Sequence, residues 1–132
     1  RYSPTMPETV RELIGVYDAD GTLAGEVRYW IGARLGRTHC GLCEITHGMF
    51  TERADWRQCR EQLDVEFHTY HRNDAPADVL AVGSPAPFVV ARTDRGLVAL
   101  LGPAELDACA GDVEQFSQAL TRACADRQLD GI

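Results

Sequence analysis

The 132-residue chain contains no lysine: all 13 of its basic residues are arginine. Schiff-base chemistry and a Walker-type phosphate loop both need a lysine, so both are excluded. Positive charge is scarce as well, with 13 basic residues against 20 acidic ones and a formal net charge of -7. A surface of that sign repels a phosphate backbone. The arginines form no stripe and do not interleave with aromatics, so no nucleic-acid partner is expected. No apolar run reaches the length needed to cross a bilayer, so no membrane partner is expected either. A glycine-rich phosphate fingerprint is missing, since Gly32 and Gly36 fall within and at the end of a helical pattern. Ser3, Ser84 and Ser117 lack the turn context of a nucleophilic serine. There is no internal repeat and no low-complexity tract.

What is present is an ordinary globular composition, 45% hydrophobic and 25% charged, at the size of one domain. Residues 1–11 read as an N-terminal tail and residues 12–132 as a single domain. Residues 1–5 read as a remnant or a trimmed leader, with Met6-Pro7-Glu8 as a native start. No positively charged segment followed by an apolar core marks a signal peptide. The five cysteines are an odd number, a poor fit to a disulfide-stapled secreted scaffold. They predict reduced thiols and a cytoplasmic location.

Periodicity gives the order of elements. Residues 13–17 are a short apolar run closed by Asp18-Ala19-Asp20-Gly21, a buried strand ending in a turn. Val27, Trp30, Ile31 and Leu35 recur at helical spacing with Gly36 behind them, an amphipathic helix with a glycine stop. Thr51 is placed to cap a second helix, with Trp56, Cys59 and Leu63 on one face. Alternation predicts a strand over residues 65–70, followed by a short helix over 76–82. Residues 88–91 and 97–101 predict a hairpin about Thr93-Asp94-Arg95-Gly96. Residues 103–110 predict one or two helical turns, and Asp112 caps a final helix that buries Val113, Phe116, Leu120 and Ala123. The order predicts an α/β or α+β domain with a mixed sheet flanked by helices.

Two motifs suggest chemistry. Val16-Tyr17-Asp18-Ala19-Asp20-Gly21-Thr22-Leu23 resembles the signature of haloacid dehalogenase-like phosphatases. The resemblance implies phosphoryl transfer with Asp18 as nucleophile and Asp20 as acid/base. That family also uses a basic residue, usually lysine, and a late acidic pair for magnesium; this chain has neither the lysine nor such a pair after a second core strand. The competing reading is a tight turn, for which Asp and Gly supply side-chain hydrogen bonds and positive φ.

The second motif is Thr38-His39-Cys40-Gly41-Leu42-Cys43-Glu44-Ile45-Thr46-His47-Gly48. Two cysteines at this spacing close a disulfide when the first sits at a helix N-terminus and the second in its first turn. There the helix dipole favours the Cys40 thiolate as the attacking sulfur, with Cys43 as the resolving thiol. His39 and His47 tune proton transfer. The partner on this reading is a protein or small thiol or disulfide, and no cofactor is required. The alternative is a metal site, in which Cys40, Cys43 and His47 ligate zinc or copper, with iron a further candidate. A fourth ligand would come from His39, His68, His71 or Cys59, although on a strand His68 and His71 point to opposite faces. A third reading is a pair of buried, unreactive cysteines, with His47 a polar cap before Gly48. Cys59, Cys109 and Cys124 fall at helical core spacing and read as packing.

Residues 65 to about 125, together with Cys40 and Cys43, resemble the thioredoxin-like superfamily: strand, short helix, proline, hairpin, C-terminal helix. Ala86-Pro87-Phe88-Val89-Val90 falls where that family has a cis-proline facing the dithiol. The resemblance implies that Pro87 lies against Cys40 and contacts the backbone of the substrate. The DCC-type thiol-disulfide oxidoreductases, which open with a strand, Tyr-Asp and then Cys-x-x-Cys, carry the nearest pattern, and Tyr17-Asp18 matches that opening. This chain differs in the roughly 20 residues, a helix among them, between the first strand and the dithiol. It also has His39 where a tryptophan is usual and Leu42 where a proline is common. The resemblance implies a thioredoxin-like domain with a helical insertion before the dithiol, acting in thiol-disulfide exchange.

Overall fold

The structure, a computed structural model, describes residues 8–18, 41–46 and 53–132. Among these the chain forms β1 (Glu8–Tyr17), α1 (Gly41–Thr46), α2 (Ala54–Glu61), β2 (Glu66–His71) and α3 (Ala77–Gly83). It continues as β3 (Phe88–Thr93), β4 (Gly96–Leu101), α4 (Pro103–Ala108), α5 (Val113–Asp126) and β5 (Leu129–Asp130). The strands make one mixed sheet in the order β2-β1-β3-β4, with β5 paired to the start of β1. β1 runs parallel to β2 and antiparallel to β3, and β3 and β4 form an antiparallel hairpin. Gly96 closes that hairpin at φ +125°, while the Thr93 hydroxyl donates to its carbonyl at 2.8 Å.

Helices cover both faces of the sheet. On one face Leu13 and Tyr17 of β1 and Val89 and Ala91 of β3 join residues of α1, α2, α4 and α5 in the larger core. On the other, Ile14, Val16, Phe88 and Val90 pack under Val79 of α3. Successive residues of a strand point to opposite faces, so residues 13–17 of β1 and 88–91 of β3 are apolar without interruption because each face has its own core. Rings fix the larger core. Trp56 of α2 meets Phe67 of β2 edge-on at 4.9 Å and Phe116 of α5 at 5.6 Å. Each such pair contributes about 0.5–1.5 kcal/mol beyond its buried area.

The mixed α/β class and most elements fall where the periodicity puts them. The Asp112 carboxylate accepts the Glu114 N–H at 2.9 Å, and Val113, Phe116, Leu120 and Ala123 are all buried. Beyond shifts of one or two residues at element ends, two boundaries differ, and β5 has no counterpart in the expected order. β1 starts at Glu8, so its first four residues were expected in the tail over residues 1–11. The sheet register slips by one residue between Val10 and Glu12, a bulge that turns Val10 onto the same face as Leu13. That slip breaks the alternation by which a strand is read. In α2, Arg53 rather than Thr51 occupies the N-cap, with no side-chain cap bond. Instead the Arg53 guanidinium pairs with Asp55 at 2.7 Å and donates to the Gly111 carbonyl, which ties α2 to the loop before α5. Thr51 and the helix expected around Val27 to Leu35 lie outside the described residues. No helix among the described residues is long and apolar enough to cross a membrane.

α1 sits close on β1 because Gly15 has no side chain. A Cβ there would stand 3.0 Å from Leu42 Cδ2 and 3.1 Å from Phe67 Cε1. Gly15→Ala is therefore expected to cost about 1–2 kcal/mol through overpacking. The loss should appear as a lower urea midpoint at unchanged slope. An unchanged midpoint would mean that α1 and Phe67 are not held against β1 in this way.

Candidate functional site

Three strand ends meet at one end of the sheet. β1 finishes at Tyr17, β2 finishes beside it at His71, and β3 starts at Phe88 opposite Val16. Pro87, buried and preceded by a cis peptide bond, stands one residue before that start. The ends of parallel strands are where an open α/β sheet leaves room for a ligand. The buried Tyr17 and Thr46 hydroxyls are hydrogen-bonded at 2.9 Å, which joins the end of β1 to the end of α1. The Tyr17 ring packs against the His71 imidazole with centroids 5.4 Å apart. Asp74 accepts the His71 backbone N–H at 2.6 Å and holds a carboxylate oxygen 3.6 Å from Nδ1. At the rim, Arg72 pairs with Asp18 at 3.1 Å.

Cys43 lies in the first turn of α1, buried in the larger core beside Leu42 and Ile45. Leu42, Ile45 and Thr46 are fully covered, so one side of this short helix is wholly committed to packing. Cys40, His39, His47 and Asp20 lie outside the described residues. Of the predicted site residues that are described, Cys43 is thus in the core over β1, and Pro87 is at the strand ends beside Tyr17. Asp18 is engaged by Arg72 at the same end.

The remaining histidines and cysteines are spread over the molecule. His71 shares the larger-core face with Phe67, whereas His68 is on the opposite face with Tyr70, as the period of a strand requires. His68 Nε2 is 2.8 Å from Glu66 and 3.4 Å from Glu12. Glu12 also binds Arg92 at 2.9 Å, and Arg92 reaches Asp78 of α3 at 3.4 Å. The Glu12 hydrogen bond, aided by Asp78, pushes the Arg92 pKa further up. This polar row links β2, β1, β3 and α3 on the face away from α1. Among the described residues no group of three or more His, Cys, Asp or Glu side chains is arranged to hold a metal ion.

Cys109 and Cys124 are buried free thiols, and Cys59 is a half-buried one. Burial pushes all three thiol pKa values up. At Cys109 the Asp112 charge adds to the rise, and at Cys124 Arg127 offsets part of it. At Cys59 a hydrogen bond with Ser117 offsets part and Asp55 adds to the rise. None has the electropositive, exposed setting that makes a cysteine reactive.

Sequence reading passed over Thr46 and Asp74, and it took Tyr17 only as part of a family's opening and His71 only as a candidate fourth metal ligand. The local signal for Asp74 is its place three residues after the strand end at His71, where an Asp can accept that residue's N–H. The pairing of Tyr17 with Thr46 spans 29 positions and has no local signal. Comparison with family models, characterised proteins and solved structures finds no match to this chain.

The raised thiols carry a pH consequence. A thiol whose pKa is higher folded than unfolded binds its proton more tightly in the native state. Its contribution is complete below the unfolded value of about 8.5 and is lost as pH rises through the folded value. The urea midpoint is therefore expected to fall as pH rises above about 8.5, and to fall less steeply in Cys124→Ala. Equal slopes in the two proteins would contradict a raised Cys124.

Proposed function

We propose that this chain is a small thioredoxin-like thiol-disulfide oxidoreductase that works through Cys40 and Cys43. The Cys40 thiolate attacks one sulfur of a substrate disulfide, forming a mixed disulfide and releasing the first substrate thiolate. Cys43 then gives up its proton and attacks the Cys40 sulfur, which releases the second thiolate. The substrate gains two electrons and two protons, and the dithiol becomes a disulfide. Cys43 is the resolving thiol, His39 and His47 exchange protons, and Pro87 contacts the substrate backbone.

The observation that carries this reading is the packing of the Cys43 helix on β1, the strand that ends in Tyr17-Asp18 next to Pro87. The succession from β2 through α3, Pro87 and the β3–β4 hairpin to the long helix α5 supports it as well.

The test uses a small aromatic disulfide as substrate. Wild-type protein is expected to reduce it and to equilibrate with glutathione at a defined potential. Cys43→Ser should accumulate a stable mixed disulfide at Cys40, and Cys40→Ser should form none. Thiols inert to both oxidant and alkylator in the native protein would end the proposal. So would about one equivalent of zinc or copper in protein purified without chelator and absent from Cys43→Ser.

A further inference from the structure

α1 has six residues, too few to persist on its own hydrogen bonds, so its position is set by what it touches. It packs in the larger core with α4 and α5, its end is tied to α2 by the Arg53 N–H, which donates to the Thr46 carbonyl at 2.8 Å, and two side-chain contacts hold it on β1. Near its start Leu42 fills the space over Gly15, and at its end Thr46 shares a buried hydrogen bond with Tyr17. The Tyr17 ring is braced in turn by the His71 imidazole at 5.4 Å, tilted by 54°. His71 is itself held from outside: Asp74 accepts its N–H, and the N–H groups of Asp74 and Ala75 both donate to its carbonyl at 3.1 Å. The Asp74 carboxylate also faces Nδ1 at 3.6 Å, which orients the ring. The series Asp74, His71, Tyr17, Thr46 therefore runs from the surface to the helix that carries Cys43.

We infer that His71 is a positioning residue for the dithiol helix: by bracing Tyr17 it keeps Thr46 seated, and so keeps Cys43 covered. Removing the imidazole leaves Tyr17 room to turn away and weakens the buried hydrogen bond it shares with the Thr46 hydroxyl. The end of α1 then lifts, and Cys43, 6% exposed in the folded chain, opens to solvent. The inference rests on the exchange reading only for its functional meaning, which is that the brace shields the resolving thiol from outside disulfides.

The test is alkylation of the fully reduced, native, full-length chain, with the rate at each cysteine read by mass spectrometry. His71→Ala is expected to raise the Cys43 rate about tenfold, equivalent to about 1.4 kcal/mol of opening, with Cys109 and Cys124 unchanged. His71→Phe, which keeps a ring against Tyr17, should return Cys43 close to the wild-type rate. Tyr17→Phe keeps the ring and loses the hydroxyl; it should expose Cys43 as well, and its combination with His71→Ala should be less than additive. An unchanged Cys43 rate in both single variants overturns the inference. A rise shared equally by Cys109 and Cys124 also overturns it, because the whole fold would then have loosened. If Cys43 responds as stated in a protein without exchange activity, the proposed function fails and the brace stands. If exchange is present and Cys43 does not respond, the reverse holds.

Discussion

β1 is paired on both edges and covered on both faces, and every other described element takes its place from that strand. β2 and β3 bond to its two sides, β5 adds to its start, and the two cores lie above and below it. A strand in this position has no solvent face to which a polar residue could turn, which is why residues 13–17 contain no charge. It also cannot shift by one residue without exchanging Leu13 and Tyr17 for Ile14 and Val16 between cores of different size. The bulge at Arg11 marks the limit of that constraint. Beyond it the strand is freer, so Arg11 faces solvent and Glu12 enters the polar row with Arg92 and His68.

The two faces are held in different ways. On the larger one, apolar burial and the contacts among Trp56, Phe67 and Phe116 fix α2, β2 and α5 together. These forces are not screened by salt as charge pairs are. On the smaller one, α3 is the one helix among the described residues, and Glu12 and Arg92 stitch three strands to it across a partly exposed surface. Exposed pairs of this kind contribute about 0–1 kcal/mol each and are screened by salt. The larger face therefore holds the fold, and it is on this face that the Cys43 helix is seated.

Much of the fold was legible because its signals are local. The alternation over residues 65–70, the Thr93-Asp94-Arg95-Gly96 turn and the Asp112 cap each act within a few residues, and each lies where its own chemistry requires. The start of β1 was not legible, since a bulge removes the alternation that defines a strand and Arg11 and Glu12 lower its apolar character. The candidate site was legible only in part. Cys43 and Pro87 stand out as residue types, but the joining of Tyr17 to Thr46 depends on how two elements pack, and on Gly15 admitting Leu42. A glycine in an apolar run looks like a weak point in the strand. In the folded chain it is the space a helix needs.

The burial of Cys43 bears on how a paired thiol divides its work. In the proposed exchange the two cysteines meet different partners. Cys40 must reach a sulfur on another molecule, whereas Cys43 needs to reach only Cys40, within the same turn of chain. Exposure would add nothing to the second task and would open Cys43 to attack by outside disulfides. Cys109 and Cys124 share the apolar setting but have no cysteine three residues away. On the proposed reading, the burial that Cys43 shares with them leaves it the thiol three positions away as its one reaction partner.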